Sequence, residues 1–134
     1  MTPHEIESRL WHYRAVLLGW TDGDTFSAEI DQGFNGTTTQ RLRLIGSAIA
    51  LDTPELRSPD PEIRRRGMAA KNRAEGMLPP GSACYVVTKK HAKGAPPDGA
   101  FGRYLAQLLL PDGTNVGDAL LAEGHAEPYR RGNS

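Results

Sequence analysis

The chain has 134 residues, one cysteine, and 16 lysines plus arginines against 16 aspartates plus glutamates. That length predicts one domain that buries roughly two-thirds of its unfolded surface, enough for an independent core. The balanced charge argues against a broad electrostatic grip on nucleic acid, while leaving room for a local basic cleft. Cys84 has no partner for an internal disulfide. No apolar run approaches ~20 residues, so no membrane-spanning helix is expected. The start, MTPHEIESRLWHY, lacks the basic and apolar stretches of a secretory signal.

Thr2-Pro3-His4-Glu5 reads as a helix start, with Thr2 as cap, Pro3 at the first helical position and Glu5 completing a capping box. The short helix is expected to end before Trp11, and Ile6 and Leu10, four apart, would bury one face. His4 and His12 have no partner at metal-ligand spacing and read as surface or packing residues. Residues 12–20 are rich in strand formers and predict a first strand, with Gly19 marking a bulge. Residues 21–24 form a tight turn by composition, 25–30 a second strand, 31–37 a hairpin loop and 38–46 a third strand. Three consecutive strands on short loops make an antiparallel meander whose curvature suits a small barrel.

In residues 41–55, RLRLIGSAIALDTPE, Leu42 and Leu44 fall on one face and Arg41 and Arg43 on the other. Pro54 stops the strand, and Asp52 and Glu55 sit on that rigid exit. Residues 47–51 are apolar enough to extend the strand, yet small residues dominate them. Asp60-Pro61 starts a helix over residues 62–78, with Ile63, Ala70, Ala74, Met77 and Leu78 at helical spacing. Glu62/Arg66 and Lys71/Glu75 are favourable pairs four apart. Gly67 costs the helix about 1 kcal/mol, which predicts a separate or frayed first turn. Arg64-Arg65-Arg66 reads as a solvated face, with a phosphate-facing patch as the alternative. Residues 84–88 predict a strand, 89–99 a basic loop, and 100–110 a last strand. Thr114 or Asn115 can cap a helix to Glu123, with Val116, Ala119 and Leu120 on one face and Gly124 at its stop. The polar tail is expected to fray after Tyr129.

The chemistry-bearing acids are Asp22, Asp24, Asp52 and Glu55. Asp22 and Asp24 are two apart at a strand start, so one can point inward while the other serves the turn. If the second strand neighbours the third, Asp24 and Asp52 converge; with a backbone carbonyl and waters they suit Ca²⁺ better than Mg²⁺. Glu55 is then placed to orient or deprotonate a water, and an arginine opposite, Arg43 or Arg103, to neutralise charge on phosphate oxygens.

Five motifs appear in order: DGDTF at 22–26, RLRLIG…DTPEL at 41–56, a helix with G-x-A-A-K, FGRYLA at 101–106 and DG-x-N-V-x-x-A-L-L-x-x-G-x-A at 112–126. This set resembles the thermonuclease (staphylococcal nuclease-like) family over about residues 13–129. The resemblance implies an all-β-dominated α+β fold, a five-stranded OB-fold barrel with two or three packed helices. It implies one domain over residues 1–134, with a core of about 12–128, an extension at 1–11 and a frayed tail at 130–134. It implies Ca²⁺-dependent cleavage of the 5′ P–O bond of DNA or RNA by a monomer. Asp24 and Asp52 resemble the carboxylate ligands of the calcium ion, with the backbone carbonyl of Thr53. Glu55 resembles the residue that positions the attacking water, Arg43 and Arg103 the arginines at the phosphate, and Phe101 an aromatic flanking the nucleotide. Lys89, Lys90 and Lys93 are the expected further nucleotide contacts.

The chain departs from that family's pattern at one place. The phosphate arginine there stands five residues before the aspartate, whereas Arg43 stands nine before Asp52. Four extra residues add roughly 13 Å in extended form. Either Ser47-Ala48-Ile49-Ala50 loops out and Arg43 stays in place, or the strand slides and uncharged Ser47 takes the position. The second outcome would fit a non-catalytic module of the same fold, binding protein or nucleic acid.

Overall fold

The computed structural model describes residues 1–88 and 104–129. Alternation builds its barrel. In β1 (His12–Asp22), Ala15 and Leu17 point inward, and a bulge between Leu17 and Gly19 then shifts the phase so that Trp20 also faces the interior. β2 (Thr25–Gly33) contributes Phe26, Ala28 and Ile30 to the core, and β3 (Gly36–Leu44) contributes Leu42 and Leu44. Cys84 and Val86 come from β5 (Ala83–Thr88), and Ala106 and Leu108 from β6 (Tyr104–Leu109). The strands close in the order β1-β2-β3-β6-β5. The predicted meander, β1 to β3, is antiparallel, and the parallel pairing of β3 with β6 completes the ring. Trp20 packs at 5.5 Å from Phe26 and donates its indole N–H to the Leu78 carbonyl at 3.1 Å.

Helix α2 (Pro61–Met77) is capped by Asp60 and buries Gly67, Ala70 and Ala74. It is continuous through Gly67, against the expectation of a frayed first turn. A side chain there would stand 2.6 Å from the Pro54 carbonyl, so the glycine permits contact between helix and loop. Glu62 pairs with Arg65 rather than Arg66, while Lys71 and Glu75 pair at 3.8 Å. The Arg64–Arg66 run is solvent-exposed, with Arg64 donating to the Ser58 carbonyl at 2.8 Å. Helix α3 (Val116–Ala122) is capped by Asn115 and ends before Gly124 at φ +79°. Gly117, rather than Ala119, joins Val116 and Leu120 in the buried face. A two-point ion pair, Arg73 to Glu123 at 2.7 and 3.0 Å, ties α2 to α3.

Two features depart further from the sequence reading. Helix α1 (Pro3–Ser8) has its Thr2 cap but buries no residue, and Ile6 and Leu10 are exposed. Six residues give fewer than two turns, and Trp11, at φ +67°, turns the chain directly into β1. In addition, β3 ends at Leu44, and a two-stranded ribbon forms from β4 (Leu51–Asp52) and β7 (Glu127–Pro128). The architecture is the expected β-dominated α+β barrel with helices. Among the described residues no helix is long and apolar enough to cross a membrane.

Candidate functional site

The bend between β1 and β2 sets the first acid. Asp22 accepts the Asp24 N–H at 3.1 Å and so serves the turn. Asp24 points inward and is only 7% exposed. One of its oxygens accepts the Thr25 hydroxyl at 3.2 Å and the other accepts the Thr53 N–H at 3.0 Å. The carboxylate thus ties the β1–β2 bend to the acid turn, 29 residues away in sequence. Gly23 lets these parts meet, since a side chain there would lie 2.9 Å from Thr53 and 3.0 Å from Ala70.

Arg43 lies beside this acid because β3 pairs with β2 in a register that sets it opposite Thr25. Its Nη2 donates to the Leu51 carbonyl at 3.1 Å, hydrogen-bonds the Asp52 carboxylate and stands 3.7 Å from Asp24 Oδ2. One guanidinium nitrogen therefore bridges two carboxylates. The extra residues loop out: Ile45 pairs with Ala50 across an isolated bridge, and the Gly46 N–H donates to the Ile49 carbonyl at 2.8 Å. Asp118 of α3 anchors the loop by accepting the Ser47 N–H at 2.8 Å. Gly117 allows this approach, since a side chain there would stand 2.6 Å from the Ile45 carbonyl. On the other side, Tyr129 donates its N–H to the Ala50 carbonyl at 2.9 Å, and its ring faces Arg43 with 5.6 Å from Cζ to the ring centroid.

Burial shifts the two acids of the bend in opposite directions. Desolvation, with the hydrogen bond and charge of Asp24, pushes Asp22 up to about 7. Desolvation acts on Asp24 too, but the hydrogen bond from Asp22, the Arg43 charge and the Thr53 N–H outweigh it and hold Asp24 below the usual carboxylate range. At pH below about 7 the pair's proton sits on Asp22, and Asp24 is the anion facing Arg43.

Asp24, Arg43, Asp52 and Thr53 are thus brought together. Glu55 is exposed on the same turn, and among the described residues no hydrogen bond or ion pair ties its side chain to that cluster. Phe101, Arg103, Lys89, Lys90 and Lys93 lie outside the described residues. Among the described residues no three His, Cys, Asp or Glu side chains gather as a metal-binding group. Sequence reading missed Asp118 and Tyr129. A first-turn helix acid and a tail aromatic have ordinary local uses, so neither carried a signal.

A closed barrel in the order β1-β2-β3-β6-β5, with helices beside it and an acid-bearing turn before α2, places the chain among the small β-dominated α+β barrels. Residues 41–134 match the family model described as Staphylococcal nuclease homologue, and the chain belongs to that family. The matched stretch contains Arg43, Asp52 and Glu55 but begins after Asp24, which the fold brings to Thr53 and Arg43. A comparison with curated proteins finds no match.

Proposed function

We propose that this chain is a Ca²⁺-dependent phosphodiesterase that hydrolyses DNA or RNA as an endonuclease or exonuclease. The observation that carries the reading is the Arg43 nitrogen shared between Asp24 and Asp52. Two carboxylates converging on one positive group form a cation site built from hard oxygens, which suits Ca²⁺. The buried Thr53 hydroxyl, with no hydrogen-bond partner among the described residues, adds a polar atom beside it. Asp24, Asp52 and the Thr53 carbonyl would hold the ion. When bound, Ca²⁺ supplies positive charge to a phosphate oxygen as a Lewis acid.

The remaining work falls to the chain's own side chains. Arg43, released from the carboxylates, turns its N–H groups toward the phosphate and offsets the charge that builds during in-line attack. Glu55, exposed on a turn fixed by Pro54, orients a water and takes its proton as the water oxygen bonds to phosphorus. The bond from phosphorus to the 5′ oxygen breaks, leaving a 3′-phosphate, and Arg103 stabilises the departing oxygen until it is protonated. Phe101 flanks the nucleotide, and Lys89, Lys90 and Lys93 contact the strand. Incubation of single-stranded DNA and RNA with the protein, with Ca²⁺ or with chelator, tests this. Cleavage that needs Ca²⁺ is the expected result; none, in a sample shown to be folded, contradicts it.

A second reading, a non-catalytic module of the same fold, draws on Arg43 being engaged internally by Leu51 and Asp52. No Ca²⁺ binding at millimolar concentration would favour it.

A further inference from the structure

Tyr129 has no part in the chemistry above, yet it is held against the centre of the site. The β4–β7 ribbon sets Leu51 opposite Pro128 and Asp52 opposite Glu127, and the next N–H, that of Tyr129, goes to the Ala50 carbonyl. This backbone contact anchors the main chain that carries the ring beside the site. The ring is not a core aromatic, because Tyr129 is 50% exposed. It faces a guanidinium whose own side chain is only 16% exposed.

We propose that Tyr129 is the positioning residue for Arg43, an inference that rests on the nuclease reading for its consequence but not for its geometry. Two kinds of contact hold the guanidinium here, beside its approach to Asp24 at 3.7 Å. Its Nη2 binds Leu51 and Asp52, and its carbon lies over the ring. The contact with Asp52 is a charge contact and weakens when another cation takes up that carboxylate's charge. The contact with the ring is an attraction to the π face, and it uses none of the N–H donors. Tyr129 therefore keeps the guanidinium in the cleft while those donors exchange a carboxylate for a phosphate. Less freedom is left to lose when the phosphate arrives, as preorganised transition-state stabilisation requires.

The test compares Tyr129→Phe, which keeps the ring, with Tyr129→Leu, which keeps apolar bulk without it. In ¹⁵N–¹H spectra the Arg43 side-chain resonance, assigned by its absence in Arg43→Lys, should show a ring-current upfield shift. The shift should persist in Tyr129→Phe and vanish in Tyr129→Leu. In hydrolysis of single-stranded DNA, Tyr129→Leu should lower kcat about two- to fivefold with KM nearly unchanged, and Tyr129→Phe should match the parent. In an Arg43→Gln background, assayed at high enzyme concentration, Tyr129→Leu should have no further effect. A parent Arg43 resonance without the shift overturns the proposal. So does a Tyr129→Leu variant that raises KM at constant kcat, or one whose loss is the same without Arg43, because either is the mark of direct nucleotide stacking. If the parent cleaves nothing with Ca²⁺, the nuclease reading fails, and the resonance alone decides whether Tyr129 positions Arg43.

Discussion

Two neighbouring stretches of the chain are held in opposite ways. The acid turn at residues 52–55 is fixed from beneath: Thr53 is buried and donates to Asp24, Gly23 meets Thr53, and Gly67 of α2 lets the Pro54 carbonyl come close. The inserted loop just before it is held through its backbone, with the Gly46 N–H reaching the Ile49 carbonyl, while its tip side chains are left in solvent. Ile45 pairs with Ala50, Asp118 takes the Ser47 N–H, and the tip residues Ala48 and Ile49 are exposed. The difference explains how four extra residues leave Arg43 at Asp52. The length of a loop matters little to a site when its two ends are pinned to each other and to the same scaffold.

The largest expected effect comes from breaking the acid turn chemically. Glu55→Ala should reduce Ca²⁺-dependent turnover by about 10²–10⁴-fold, as loss of a general base does, while calorimetry finds Ca²⁺ affinity nearly intact. A fully active variant would remove the role given to Glu55. Breaking the same turn sterically comes next. Gly67→Ala improves helix propensity but pushes a methyl into the Pro54 carbonyl, so the net result should be a loss of about 1–3 kcal/mol in denaturant unfolding, with reduced turnover. Unchanged stability and activity would show that the turn is not held by that contact.

The bend beneath the turn gives a pH signature. Asp22 is raised to about 7, so its neutral form stabilises the fold. That contribution is complete below the ordinary carboxylate range and is lost as pH rises through about 7. Asp24 is depressed, so its contribution runs the other way and is lost only at acid pH. Thermal unfolding should therefore show Tm falling between pH ~5 and ~8, and Asp22→Asn, which is permanently neutral, should flatten that fall. A profile identical to the parent's would place the proton elsewhere. The smallest effects belong to the inserted loop, where the contrast lies within the loop itself. Asp118→Ala should cost about 1 kcal/mol and some activity, because it frees an anchored end. Ile49→Ser at the tip should stay within about 0.5 kcal/mol and leave activity unchanged. Equal effects at the two positions would contradict the account of pinned ends.

Much of this was legible where the cause is local. The Gly19 bulge, the caps Thr2, Asp60 and Asn115, the Gly124 stop and the meander all follow from side chains acting within a few residues. The ordered motifs carried the family, and with it Asp24 and Asp52 as neighbours; for Arg43 the four extra residues left two outcomes open, in place or displaced. What sequence could not show was contact across the fold. Gly67 looks like a helix defect until Pro54 is seen against it, and Asp118 looks like a first-turn acid until it meets Ser47. Tyr129 looks like the start of a loose tail until β7 pairs with β4. The α1 face was misjudged for the same reason: four-residue spacing shows that a helix has an apolar face, not that anything covers it.

The central claim is that Asp24 and Asp52 serve one cation site. Calorimetric titration of Ca²⁺ into the parent, Asp24→Asn and Asp52→Asn proteins tests it most directly, with folding of each checked by circular dichroism. The account predicts one ion bound by the parent and a large loss of affinity in either variant. Calcium binding that survives unchanged in either variant would contradict it.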